Sequence, residues 1–433
     1  MDIAIDLLIL IGLLALGVPV PFCFMAAVLF LVVLHGYSFE FLLPVAFYSL
    51  NSLTLLAVPF FIMAGGLMAS SGIAERLANI ATALVGRVRG GLGGATVVAC
   101  AIFGAVAGTC SAAVAAIGSI MIPRMEAEGY PRGHATGLVT CASVLGQLIP
   151  PSVPMILFAW VTRLSVATCF LSTVGPGILQ LIFFIFVNWW MCRRIPTIRV
   201  SPPVSLRKQA KEVGHAAKHG FFALLAPFII LGGIYGGFTT PTEAATIAVL
   251  YTILAGFIIY RKMTAKELGR ILFTTATTTG VVILMIFFVQ ILSRIYTLEN
   301  VPQRLIELLT GVSGNKYVIL AMVNVFLFIL GMLADDFSAT LLAAPLLFPI
   351  MKHIGVNPYH FAAIMGTNLG LGNVTPPCAP ILFLGGRIGN CSFDKLIKPA
   401  SLFMVFGNLP VVLLTTYWPD LSLFLPRLVM GIK

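Results

Sequence analysis

The chain has 433 residues, 59% of them hydrophobic and 9% charged, with a mean hydropathy of +1.04. No water-soluble domain needs that much apolar surface, so composition excludes a soluble enzyme or binding module and points to an all-α integral membrane protein. A net charge of +11 would suit a nucleic-acid binder, but in a membrane protein the question is which loops carry it.

The first residues, Met1 to Asp6, hold acids where a secretory leader would hold Lys or Arg, so the run from Leu7 is expected to be a retained first span. Apolar runs of helical length predict spans near residues 3–17, 22–35, 52–70, 134–163, 169–191, 221–238, 243–260, 275–296, 359–386 and 396–417. Two further runs, 93–123 and 318–350, are interrupted halfway, by Gly108-Thr-Cys-Ser111 and by Asp335-Asp-Phe-Ser338. Each is expected to enter the bilayer, turn at mid-depth and leave on the same side, as a re-entrant hairpin. Ser201 to Lys218, with Pro202, Pro203 and several bases, reads as a connecting loop near lipid headgroups. Thr240-Pro-Thr-Glu243 is a helix-start signature, with Thr240 as cap, Pro241 first in the helix and Glu243 reaching back. The eight cysteines are scattered without C-x-x-C spacing and read as small core hydrophobes. The six histidines fall at span ends or in loops, and none is placed to shuttle protons at mid-depth.

The chain is doubled. Gln147-Leu-Ile-Pro-Pro-Ser-Val-Pro154 recurs as Asn373-Val-Thr-Pro-Pro-Cys-Ala-Pro380, and one shift of 226 also carries Pro123 onto Pro349, Gly129 onto Gly355 and Gly146 onto Gly372. Ile73-Ala-Glu-Arg-Leu77 likewise resembles Val301-Pro-Gln-Arg-Leu305, both opening short amphipathic segments. The organisation expected is a first repeat over 1–200, a cytoplasmic connector over 201–219 and a second repeat over 220–433. A periplasmic N-terminus makes the halves inverted copies. Arg163, Arg294, Arg304, Lys316, Lys352, Arg427 and Lys433 then fall outside and the other nineteen of the 26 Lys and Arg inside, the asymmetry that insertion imposes. The basic balance is therefore topological, and nucleic acid is set aside.

A Pro-Pro pair removes two backbone donors and disfavours helix in the residue before each proline, so carbonyls around Gly146-Gln-Leu-Ile149 and Gly372-Asn-Val-Thr375 lose their partners. In hydrocarbon each orphan costs several kcal/mol, so such breaks belong against a polar cavity facing the hairpin tips. Oxygen-rich surroundings suit a hard cation such as Na⁺. The candidate cation ligands are Gly108, Thr109, Cys110, Gly146, Ile149, Asp335, Asp336, Gly370, Gly372 and Thr375. Half-helices starting near Ala112 and Ala339 would aim positive N-termini at the same cavity and favour an anionic substrate. Its candidate contacts are Thr109, Ser111, Gln147, Pro150, Phe337, Ser338, Asn373 and Thr375. Asp335-Asp336 has a second reading, as a helix cap. An intramembrane hydrolase using Ser111 or the acidic pair fails on geometry, because no His sits at depth to activate Ser111 and adjacent acids cannot readily face each other across a substrate.

Leu55-Leu-Ala-Val-Pro-Phe-Phe-Ile-Met-Ala-Gly65, Gly108-Thr-Cys-Ser-Ala-Ala-Val-Ala-Ala-Ile-Gly-Ser-Ile-Met-Ile-Pro123, Ile149-Pro-Pro-Ser-Val-Pro-Met-Ile156, Thr240-Pro-Thr-Glu-Ala244 and Val374-Thr-Pro-Pro377 stand in order along the chain. Together they resemble the large membrane subunit, the DctM-type permease, of tripartite ATP-independent periplasmic (TRAP) transporters. The resemblance implies an elevator-type secondary transporter in a bacterial inner membrane, with a separate small four-helix subunit and a periplasmic binding protein as partners. It also implies Na⁺ as the coupling ion and organic acids as substrates, among them C4-dicarboxylates, sialic acids and sugar acids. Two departures stand out. The first tip reads Ala107-Gly-Thr-Cys110 where the family commonly has Ser-Gly-Ser-Ser, and the second reads Ala334-Asp-Asp-Phe337 where it often has Met-Asp-Pro-Thr. The alternative reading is a self-sufficient Na⁺/dicarboxylate symporter of related architecture.

Overall fold

The computed structural model describes residues 2–85, 88–199 and 206–432, and among them every regular element is a helix. The first half runs α1 (Asp2–Ala15), α2 (Val20–His35), α3 (Phe39–Leu50), α4 (Leu53–Ser71), α5 (Ile73–Val85), α6 (Gly91–Ala107), α7 (Cys110–Ala127), α8 (Arg132–Ala142), α9 (Leu145–Leu148), α10 (Val153–Thr162) and α11 (Val166–Cys192). The middle holds α12 (Leu206–His219), α13 (Phe221–Tyr235), α14 (Pro241–Leu254), α15 (Ala265–Leu298) and α16 (Val301–Val312). The rest is α17 (Lys316–Leu333), α18 (Asp336–His353), α19 (Pro358–Asn373), α20 (Pro380–Ile388), α21 (Phe393–Phe403), α22 (Leu409–Tyr417) and α23 (Asp420–Met430). Short π turns, Ala255–Ile259 and Met404–Asn408, extend α14 and join α21 to α22.

Local chemistry sets several of these ends. At α14 Thr240 Oγ1 accepts from Glu243 N at 3.3 Å while Glu243 Oε2 accepts from Thr240 N at 2.7 Å, the reciprocal cap expected from the sequence. Thr264 and Glu267 repeat the device at α15. Thr240→Ala should cost about 1 kcal/mol, read as a lower melting temperature of the purified protein. An unchanged melting temperature would show that this cap contributes nothing.

Among the described residues seven helical stretches are long and apolar enough to cross a membrane, or eight if the bent pair α12–α13 is one span. The predicted runs all fall on helices, with differences. The run 275–296 belongs to the 34-residue α15, and α3 and α23 answer to no predicted span. The expected loop from Ser201 to Lys218 is corrected over residues 206–219, which form α12, bent 69° against α13; residues 201–205, like Arg87, lie outside the described residues. The helix persists because one face packs on α5, a contact that the run of bases conceals.

Two groups of helices emerge from the packing. An outer group pairs α1–α4 of the first half with α13–α15 of the second, through α4 on α14 and α2 and α3 on α15. Its bare faces carry large apolar side chains such as Phe47, Phe228 and Phe273, as a lipid-facing surface does. An inner group packs α6–α11 against α17–α23, centred on α11, α19, α8 and α21. At the end of α11 the Arg193 and Arg194 guanidinium groups lie 3.6 and 4.5 Å over the Trp189 and Trp190 rings, an aromatic and basic belt of the kind that marks a membrane–water boundary.

Candidate functional site

The first interruption is a tight helical turn. α6 stops at Gly108, whose φ of +68° suits glycine, and Thr109 then runs extended and caps α7 by accepting from Ala112 N at 3.3 Å. The neighbouring broken helix runs α8, α9, an extended Ile149 and a cis Pro150–Pro151 bond before α10. The two lock backbone to backbone. Val153 N donates to Gly108 O at 3.0 Å, and a Cβ built on Gly104 would fall 2.6 Å from Gly146 Cα.

The second interruption reuses the plan with other residues. Asp335 caps α18, accepting from Phe337 N at 3.3 Å and from the Ser338 hydroxyl. The shift of 226 carries Thr109 onto Asp335, so cap answers to cap. The half-helices therefore begin at Cys110 and Asp336, earlier than the expected starts near Ala112 and Ala339. α19 ends before a cis Pro376–Pro377 bond, Ala379 N donates to Met332 O at 3.3 Å, and a Cβ on Gly372 would lie 2.6 Å from Gly331 Cα.

The two units also meet each other. Gln147 Nε2 donates to Gly366 O at 2.9 Å, Cys110 Sγ donates to Gln147 Oε1 at 3.4 Å, and the Asp336 carboxyl stands beside the Cys110 thiol. Gly370 leaves room for the Gln147 amide, since a Cβ there would fall 2.5 Å from Nε2. Gln147 thus bridges the halves. Gln147→Leu removes the bond to Gly366 O, a carbonyl within α19, and leaves the Cys110 thiol without its acceptor, and should destabilise the protein by about 1 kcal/mol; a melting temperature within error of the parent would show that the bridge carries no load.

The candidate residues divide by position. Gly108, Thr109, Cys110, Gly146, Gln147, Pro150, Asp336, Phe337, Ser338, Gly370, Gly372 and Asn373 are buried, Ile149, Asp335 and Thr375 are half-buried, and Ser111 is exposed on α7. Gly372 O already accepts from Thr375 N at 2.8 Å, and the Thr375 hydroxyl is turned back to Leu371 O. Three buried polar atoms of these residues have no hydrogen-bond partner among the described residues: Asp336 Oδ2 and both side-chain amide atoms of Asn373. Sequence reasoning missed Gly104, Gly331 and Gly366, whose one signal was a glycine inside each apolar run. A cavity of about 700 Å³ lies beside the second break, against Thr375 and Pro376. Its wall is mainly apolar, and its Asn368 and Asn324 side chains are already bonded to each other at 2.6 Å, with Asn324 bonded on to Thr416 at 3.0 Å.

Residues 7–421 match the model of the tripartite ATP-independent periplasmic transporter, DctM component. The chain belongs to this family. It is 36% identical to the C4-dicarboxylate TRAP transporter large permease protein DctM of Pseudomonas aeruginosa, over 86% of each chain. To the sialic acid TRAP transporter large permease protein SiaM of Vibrio cholerae it is 33% identical over 97% of each. The crystal structure of the Alcanivorax borkumensis YdaH transporter, 13% identical, superimposes over 89% of each chain with a TM-score of 0.55, so the fold is shared. This DctM-family chain is a transporter subunit, not an enzyme. Its two departures meet in space: Cys110 at the first tip and Asp336 at the second are neighbours.

Proposed function

We propose that this chain is the permease of a Na⁺-coupled importer of an organic acid, such as a C4-dicarboxylate, sialic acid or sugar acid. A periplasmic binding protein delivers the substrate, and a small four-helix membrane subunit completes the outer group in a bacterial inner membrane. On this reading the α6–α7 and α17–α18 pairs are re-entrant hairpins of inverted halves, the N-terminus is periplasmic, and the inner group slides against the outer as an elevator. Na⁺ is held by tip and break oxygens, among them Thr109, Asp335, Asp336 and carbonyls near Gly146 and Gly372. The acid lies between the positive starts of α7 and α18. Substrate prefers the Na⁺-bound state, and that preference is the coupling.

The observations that support this most are the orphaned atoms of Asp336, at the start of α18, and of Asn373, at the second break. A buried polar group left unpaired costs about 1–3 kcal/mol, and a cation with a liganded oxygen anion would recover it. The test is uptake of a panel of labelled organic acids into proteoliposomes containing the reconstituted complex. Accumulation is expected only with an inward Na⁺ gradient and the binding protein together. Equal uptake without the gradient would remove Na⁺ coupling, and equal uptake without the binding protein would favour a self-sufficient symporter.

A further inference from the structure

A cavity of about 610 Å³ opens between the start of α8, the end of α20 and the start of α21, remote in sequence from both tips. Arg132, Arg387 and Lys395 line it, and no acid does. Arg132 is tethered, donating from Nε to Gly389 O at 2.6 Å and lying 3.4 Å from Glu126. Arg387 and Lys395 have no ion-pair partner among the described residues. Ser392, the N-cap residue of α21, faces the cavity without closing the first turn by a side-chain bond, so that helix start offers backbone donors, while Asp394 in the same turn offsets part of its positive field and leaves Arg387 and Lys395 as the main charges. The rim is apolar. The Phe383 and Phe393 rings stack with centroids 5.3 Å apart and stand 46% and 38% exposed.

We infer that this pocket binds the phosphate headgroup of an anionic phospholipid, with an acyl chain lying along the Phe383–Phe393 stack. A phosphate diester offers charged oxygens to two unpaired cations and to the uncapped backbone donors at the start of α21, as such groups bind elsewhere. The stacked rings set this reading apart from a soluble anion, which has no use for an apolar lip. On the proposed reading, with the N-terminus periplasmic, Arg387 and Lys395 lie inside, at the leaflet where anionic lipids attract basic groups.

Native mass spectrometry of the full-length chain, purified in detergent and titrated with phosphatidylglycerol, cardiolipin or phosphatidylcholine, tests this. The anionic lipids should bind at least about tenfold tighter than phosphatidylcholine, and the R387Q/K395Q double variant should lose about tenfold of that affinity, or roughly 1.4 kcal/mol. Both positions are exposed, so the variant should melt with the parent in phosphatidylcholine. R207Q/K218Q on α12, equally exposed and basic, should leave binding intact. Unchanged binding by R387Q/K395Q overturns the assignment, as does an equal loss in R207Q/K218Q, which would mean diffuse attraction. Displacement of the lipid by millimolar inorganic phosphate would make it a soluble-anion site and overturn it too.

Discussion

Gly372→Val should abolish transport and lower the stability of the protein by about 3 kcal/mol or more. A Cβ at this position would fall 2.6 Å from both Cα and carbonyl C of Gly331 and 2.9 Å from Met332 N. All three are backbone atoms of α17, so no rotamer change relieves the overlap. Overpacking in a core whose neighbours are side chains costs about 1–3 kcal/mol, and here the helix axis itself must shift. That shift would also break Ala379 N to Met332 O, the bond that seats the second break on its hairpin. Gly146→Val should behave alike, because its Cβ would meet Thr109 O at 2.8 Å. Gly280 in α15 has open space around its missing Cβ, so Gly280→Ala serves as the control and should melt at or above the parent. Thermal melts beside uptake assays decide the matter. A Gly372→Val protein that melts and transports like the parent would show that the break and the hairpin do not dock.

Asp335→Asn should leave the protein folded and remove Na⁺-dependent uptake. Asp335 has a structural task in any case, capping α18 through Phe337 N. Asn caps about as well as Asp, whereas Ala forfeits roughly 0.5–2 kcal/mol of capping. The Asn variant therefore isolates the charge from the cap. If the carboxylate holds Na⁺, Asn keeps the melting temperature near the parent's and drops Na⁺-stimulated uptake to background, while Ala loses both. If the residue only caps, Asn transports normally with undiminished Na⁺ dependence, and Asp335 leaves the mechanism. Thr109, its counterpart in the first half, likewise caps its half-helix, and its carbonyl accepts from Ala113 N at 3.3 Å.

Much of this is legible in the residue order alone. Chain-local chemistry is strong in a membrane protein, because a backbone group in hydrocarbon must be satisfied within its own helix or at a marked exception. Apolar length located the helices, and Pro150–Pro151 and Pro376–Pro377 marked the exceptions. The shift of 226 tied hairpin to break in each half, and Thr240 with Glu243 announced the start of α14. The residue order also carried the family, in five motifs along the chain.

Other features depend on which surfaces meet, and no local signal encodes that. α12 is read as a loop from its bases and is a helix because α5 covers one face. Gly104 and Gly331 look like incidental small residues until each is found against the glycine of a broken helix. Gln147 reads as a substrate contact, yet its amide is spent on Gly366 of the other half. The orphaned atoms of Asp336 and Asn373 are visible only once everything around them has been paired. The sequence by itself determined the helices, their interruptions and the doubling, because each follows from spacing along one chain and the cost of exposed backbone in lipid. Tertiary structure alone decided which glycines touch, which amides are consumed in holding the halves together and which polar atoms are left unpaired, because those are contacts between residues far apart in the chain.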